Sequence, residues 1–396
     1  MDSNPALCEA IANRITASPL KRITFAEYMD MVLYHPKHGY YFRKTINLGR
    51  EGDYYTSVHL GADFGELLAV QFIQIWEIMG KPPVFHLVEL GAGQGYLAAD
   101  VLRYILTQEP VLYQALTYII IEKSPALIDI QQQRLKGLKV RWCNIEEIPN
   151  NSITGCFFSN ELLDALPVHQ LELETGDIKE IYVTTTDNLV PTASSNTGER
   201  KEFVEVKGEP STLEISMYFD MVDVDIRSYS DGYRSEVNLN AIELLGTLTT
   251  KLRRGYILTI DYGYPATRYY NPRRREGTLQ CYWKHHSHND PYVNIGKQDI
   301  TAHIDFTALE KWGEHYGLKK VGFTQQGLFL MSLGLGERIA ALSYMKISIP
   351  DLIKRRDCLQ QLLDPLGLGG FGVFVHSKGL TEVESAQQLK GFIEPI

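Results

Sequence analysis

Along this chain the hydrophobic positions change period several times, and each change marks a new element. Over residues 1–80 they recur at helical spacing, first as Ala6, Ile11 and Ile15, then as Phe25, Tyr28, Met29, Val32 and Leu33. A further helix is expected over residues 64–79. The stretch between, HPKHGYYFRKTINLGREGDYYTS, is rich in turn formers and predicts a functional loop. From residue 84 short apolar runs alternate with amphipathic stretches. Residues 84–90, 116–121, 139–142 and 156–159 read as strands, with helices over LAADVLRYIL and residues 126–135. This alternation predicts an α/β fold with a mostly parallel sheet covered by helices on both faces.

The rhythm breaks over residues 168–225, where strict alternation in HQLELETGDIKEIYV predicts antiparallel hairpins and TASSNTGERKE a low-complexity loop. It returns with a helix over 237–252 and a strand over 256–260 that ends in Asp261. A loop-rich insertion follows, with RRREG and KHHSHND, then helices over 306–316 and near 336–346 and a last strand over 372–376. The domains expected are a helical N-terminal cap and loop (1–82), the first half of a core (83–167), a β-rich insertion (168–235), and the second half of the core (236–396), itself interrupted at 265–305.

Composition narrows the function. The 396 residues carry a net charge of −9, which gives no general attraction to phosphate backbones and argues against nucleic acid. Five scattered cysteines without a C-x-x-C pair argue against a disulfide framework and a structural zinc site. No apolar run reaches the ~18 residues of a membrane span. The beginning, MDSNPALCEAIANRI, has neither a signal-peptide nor a transit-peptide pattern, so a cytoplasmic protein is expected.

The sharpest local signal is Glu89-Leu-Gly91-Ala-Gly93-Gln-Gly95, set between an apolar strand and a helix. Such glycines bring backbone N–H groups close to a ligand at a helix N-terminus. The spacing is G-x-G-x-G, whereas the dinucleotide fingerprint needs a third glycine where Tyr96 stands. Glu89 at the strand end disfavours a pyrophosphate and suits the ammonium and sulfonium of S-adenosylmethionine. Glu122, closing the next strand, can hydrogen-bond ribose hydroxyls of either cofactor.

Here the sequence resembles motif I of class I S-adenosylmethionine-dependent methyltransferases, and within them the MidA / NDUFAF-seven family of arginine methyltransferases. The resemblance is carried by FAEYM with LYHPKHGYY, by GDYYTS before Phe64-Gly-Glu66, and by ELGAGQGYLAADVLR. It continues through SNELLDALPVHQ, GYRSEVN, IDYGYP, GTLQCYWKH, DITAHIDFTAL and TQQGLFLMSLG. It implies a methyltransferase-type core whose cap and insertions wall the pocket. It also implies S-adenosylmethionine as cofactor, and an arginine on the quinone-site subunit of complex I as the acceptor of the eukaryotic members. Carried over, Glu89, Gly91, Gly93 and Gly95 would hold the methionine part, Glu122 the ribose, and Asn144 with Ile145 the adenine edge. Gly52, Thr56 and Ser57 would belong to a loop that closes over the cofactor.

Methyl transfer is a displacement at carbon, so alignment at ~3–3.5 Å in a dry pocket is the main requirement. A guanidinium acceptor is protonated and delocalised, and carboxylates forked onto two of its nitrogens would fix its plane and draw charge from the attacking one. Asn160-Glu161-Leu-Leu-Asp164 supplies that equipment at a strand's C-terminal end. If the segment is helical, Glu161 and Asp164 share a face; a helix cap by Asp164 or Asn160 accounts for the residue types equally well. With the resemblance, Glu161 and Asp164 become the catalytic candidates, and Asn160, Tyr262 and His303 the substrate-binding ones. Asp261-Tyr262-Gly263 could line an acceptor channel or simply end a strand. Asp299 and His303 are four apart, a workable metal pair on a helix, but no second ligand pair accompanies them, and no metal is expected. The function expected is therefore protein-arginine methylation on a complex I-type subunit, against a cofactor-binding assembly factor with little turnover. The oligomeric state stays open, a homo-oligomer included.

Overall fold

The computed structural model describes residues 3–43, 56–189, 203–284 and 286–394. These form two compact units. One takes its residues from Tyr55–Leu163, Leu244–Gly263 and Trp312–Ile396, the other from Met1–Tyr54, Asp164–Glu243 and Tyr264–Lys311.

The first unit is built on a seven-stranded sheet: β1 Phe85–Leu90, β2 Leu116–Ile121, β3 Val140–Cys143, β4 Ile153–Asn160, β5 Leu252–Asp261, β6 Lys319–Gln325 and β7 Gly372–Lys378. Their spatial order is β6-β7-β5-β4-β1-β2-β3. All run parallel except β7, which pairs antiparallel with both β5 and β6. The chain fills the sheet outwards in opposite directions from the β1–β4 pair. Since crossovers are right-handed, the two halves carry their helices on opposite faces, and the pair itself is a topological switch point. The expected α/β fold is the one found.

Helices α1 (Asp63–Ile78), α2 (Tyr96–Gln108) and α3 (Pro125–Arg134) cover this sheet. Phe64, Leu68, Phe72 and Ile75 of α1 fall on one helical stripe. They bury with Leu97, Val101, Leu102 and Ile105 of α2 against Leu87, Tyr118 and Phe158 of the strands. The strand β4 is buried along its whole length up to Ser159, as a central parallel strand must be.

The second unit holds the expected hairpin, His169–Glu174 against Asp177–Thr185, within a five-stranded antiparallel sheet. Helices Pro5–Ala17 and Phe25–Tyr34 bury Leu7, Ile11, Ile15, Phe25, Tyr28 and Leu33 in a core shared with Val168, Val183, Leu279 and Ile300. Asn4 caps the first helix, its side chain accepting from the Ala6 and Leu7 N–H groups. A three-stranded sheet is made of Gln280–Trp283, His286–His288 and Asp299–Thr301. Asp299 is therefore on a strand, and the helical metal-pair geometry for Asp299 and His303 does not arise. Among the described residues no helix is long and apolar enough to cross a membrane.

Candidate active site

At the switch point the chain leaves β1 through the glycine loop. Gly91, Gly93 and Gly95 all have positive φ, 65°, 51° and 78°, a region costly for residues with a Cβ. The Gly91 N–H donates to the Ile121 carbonyl at the end of β2, and Gly95 caps α2. A Cβ on Gly93 would meet no protein atom within 4 Å, so the face of the loop there is open; one on Gly91 would strike the Leu162 side chain at 2.7 Å. The loop after β1 and the loop after β4 are thus in contact.

Glu89 is buried, only 3% exposed, and the Tyr118 hydroxyl donates to its Oε2 at 2.6 Å. Burial pushes its carboxyl up to about 7, opposed by the Tyr118 bond and reinforced by the charge of Glu122. A cationic group set beside Glu89 reverses that penalty, because it favours the ionised form.

Glu122 follows β2 and is half-buried. It accepts from the Ser124 N–H at 2.9 Å and from the Gln131 amide at 3.2 Å, and burial still raises its pKa. Beyond β3, the Asn144 N–H donates to Glu147 at 2.8 Å, which commits its backbone to a 3-10 turn over Ile145–Glu147, while Ile145 is buried.

Past β4 the backbone turns sharply at Glu161, whose φ is 52°. A left-handed glutamate is held there by its neighbours. Its N–H donates to the Ile260 carbonyl, and its Oε1 accepts from the Asn160 amide at 3.1 Å and from the Ser57 N–H at 3.4 Å. The next two N–H groups, of Leu162 and Leu163, both donate to Oδ2 of Asp261 at 3.2 and 2.8 Å, and Tyr262 N–H donates to its Oδ1 at 2.9 Å. Asp261 is fully buried. It clamps this loop and so does not line a channel; Tyr262, beside it, is half-buried with its ring against Phe371. The helix that was to put Glu161 and Asp164 on one face is reduced to a 3-10 turn over Leu163–Ala165 that begins after Glu161. Spacing along a helix therefore does not pair them.

Ser57 is buried and bonded through its hydroxyl to Gln326, whose amide also donates to the Leu368 carbonyl at 2.9 Å. The Thr56 hydroxyl lies 2.9 Å from Nδ1 of His59. Gly52 lies outside the described residues.

Asp164 and His303 belong to the second unit. There the carbonyl of Asp164 accepts from Ala302 N–H at 2.9 Å. The His303 ring stacks on Tyr264 with centroids 5.1 Å apart, and the guanidinium groups of Arg268 and Arg274 lie 4.2 and 4.7 Å from the Tyr264 ring. Burial, then Arg274 and Arg268, lower the His303 pKa to about 4. These cationic surroundings argue against His303 as a contact for a guanidinium. Among the described residues no group of three or more His, Cys, Asp and Glu side chains could hold a metal.

Residues 67–324 match a family model described as "Putative S-adenosyl-L-methionine-dependent methyltransferase". The chain belongs to this family. Relatives of this methyltransferase include the Drosophila melanogaster protein arginine methyltransferase NDUFAF7 homolog, mitochondrial, 30% identical, with the alignment covering 88% of this chain and 79% of the relative. The Homo sapiens protein arginine methyltransferase NDUFAF7, mitochondrial, is 28% identical, over 81% and 72% of the two chains. Among solved structures, a COG1565 superfamily protein from Burkholderia thailandensis, bound to S-adenosyl-homocysteine, superposes with a TM-score of 0.82. Its identity is 28% and the coverage 98% and 94%. The methyltransferase uses S-adenosyl-L-methionine, and the residues at the switch point fit that cofactor chemically: an open glycine cradle, a buried acid for a cation, and a second acid one strand away.

Gln131 and Gln326 had no motif to betray them. Each is a fully buried amide whose importance lies in which backbone groups it reaches, a fact of tertiary structure.

Proposed function

We propose that this protein is a protein-arginine N-methyltransferase acting on a subunit of a complex I-type dehydrogenase, in the cytoplasm. What carries the reading is the strained, triply braced presentation of Glu161 at the sheet's switch point, in contact with the glycine loop. A carboxylate held that firmly beside the cofactor edge suits an acceptor that must be oriented and relieved of charge. The names of the relatives support arginine as the residue modified.

In this reading Glu89 and the loop Gly91, Gly93 and Gly95 hold the amino-acid part of the cofactor, Glu122 the ribose, and Ile145 with Asn144 the adenine edge. S-adenosyl-L-methionine supplies the methyl group. Glu161 takes two guanidinium N–H groups, fixes the plane, and accepts the proton that the methylated nitrogen releases. Asn160 steadies Glu161 through its amide. Ser57, which the resemblance assigns to the loop over the cofactor, donates its N–H to Glu161.

The test is transfer of labelled methyl from S-adenosylmethionine to the host's purified peripheral-arm subunits, with the modified residue located by mass spectrometry. Label on arginine is the expected result. Label on another residue type refutes the arginine assignment, and tight cofactor binding without any label favours an assembly factor.

A further inference from the structure

Gln131 sits in α3 and is fully buried. Its side chain joins three separate pieces of the cofactor edge. The amide nitrogen donates to the Gly93 carbonyl at 2.7 Å and to Oε2 of Glu122 at 3.2 Å, while the amide oxygen accepts from the Trp142 indole at 2.9 Å. An indole N–H can only donate and a carbonyl can only accept, so these two partners fix which way the amide points. Both amide hydrogens and the oxygen are then in use. The last glycine of the loop also packs here, since a Cβ on Gly95 would come within 3.3 Å of Gln131 Cγ.

We propose that Gln131 is a positioning residue for the cofactor, tying the glycine loop after β1 to the acid after β2 and setting the distance between them. The proposal rests on the reading that this loop and Glu122 hold opposite ends of one nucleoside cofactor. An isolated tight turn and an isolated acid could each drift by an ångström. A single amide bonded to both couples them, and the Trp142 indole on β3 keeps that amide from flipping. Side chains that orient ligand-binding groups in this way carry much of a site's affinity without touching the ligand.

The experiment is calorimetric titration of S-adenosylhomocysteine into the full chain at pH 6 and pH 8, for the parent protein, Gly93→Val, Gln131→Met and Gln131→Glu. Gln131→Met keeps length and burial but bonds to nothing. Its affinity is expected to fall about tenfold at both pH values, the size of one or two net hydrogen bonds. Gln131→Glu sets a carboxyl oxygen against the Gly93 carbonyl and the Glu122 carboxyl. Ionised, it repels both; protonated, it restores one donor. Its loss relative to the parent should exceed that of Gln131→Met at pH 8 and shrink at pH 6, a pH signature that simple loss of packing does not produce.

Parent-like affinity, within about twofold for both variants at both pH values, overturns the proposal even if their melting temperatures fall. When Gly93→Val abolishes binding but the Gln131 variants bind normally, only this inference falls. When the parent itself does not bind, or Gly93→Val binds as the parent does, the reading of the site falls with it. Trp142→Phe frees the amide without removing it and serves if the Gln131 variants do not fold. A loss of about threefold is expected, and unchanged affinity overturns the proposal.

Discussion

Glu89 is poised to make cofactor binding depend on pH. Its folded-state carboxyl lies at about 7, raised by burial, and a bound ammonium or sulfonium favours the ionised form. The sign follows: binding is strongest when Glu89 is already ionised, above pH 7, and weakens as pH falls through 7, because a proton must then be expelled. Between pH 8 and pH 6 the affinity for S-adenosylhomocysteine should drop about tenfold, the change in ionised fraction across one unit either side. Binding heats in buffers of different ionisation enthalpy should report proton release near pH 6.5. Absence of proton release removes Glu89 from the cation's side. Two further substitutions act at this scale. Gly93→Val fills the open face of the loop and should abolish S-adenosylhomocysteine binding while the protein stays folded. Glu161→Gln keeps the turn and should preserve that binding but lose methyl transfer by at least a hundredfold, and full turnover in that variant refutes its role.

Between elements, the loop after β4 depends on Asp261 at the end of β5. Replacing Asp261 by Ala leaves the N–H groups of Leu162, Leu163 and Tyr262 without their acceptor, and an unsatisfied buried donor costs ~1–3 kcal/mol. Asp261→Asn cannot repair this, because its NH2 must face at least one N–H. Both variants should melt several degrees lower, and both should lose methyl transfer by more than they lose cofactor affinity, since it is the Glu161 turn that relaxes. Most elements of this sheet were legible in the sequence. β1, β2 and β4 are legible as apolar runs, because strands buried on both faces carry no other pattern, whereas β3, at the edge of the sheet opposite β6, buries only Cys143. β6 is not legible: Lys319–Gln325 is an edge strand with no buried residue, so no hydrophobic period marks it. The helix Ile349–Gln361, with only Cys358 and Leu359 buried, escaped for the same reason. The glycine loop and the two acids proposed to hold the cofactor are recognisable as candidates in the sequence because their chemistry is local. The bracing around Glu161 is not, since apart from Asn160 its partners lie 98 to 104 residues away, and Asp261, by sequence a possible channel residue, is that brace.

For the molecule as a whole, ligand and stability are linked. At a hundred times its dissociation constant a ligand of the native state alone adds ~2.7 kcal/mol, so S-adenosylhomocysteine should raise the melting temperature by several degrees and NADH should not. The reverse ranking in a thermal-shift assay contradicts the placement of the cofactor in this chain. Each compact unit collects residues from three separated stretches, so any contiguous fragment that contains one whole unit also carries part of the other.

The position of β7 bears on how such a chain matures. It lies between β5 and β6 although β6 precedes it in sequence. During synthesis, β6 therefore emerges with no neighbour to bond to and waits some fifty residues for the strand that will bridge it to β5. Until Gly372–Lys378 leaves the ribosome, the nascent sheet ends at an open β5 edge, and β6 is a loose segment that chaperones or other strands could capture. A stalled chain ending before Gly372 should be protease-sensitive beyond β5, and a chain that includes Lys378 should resist.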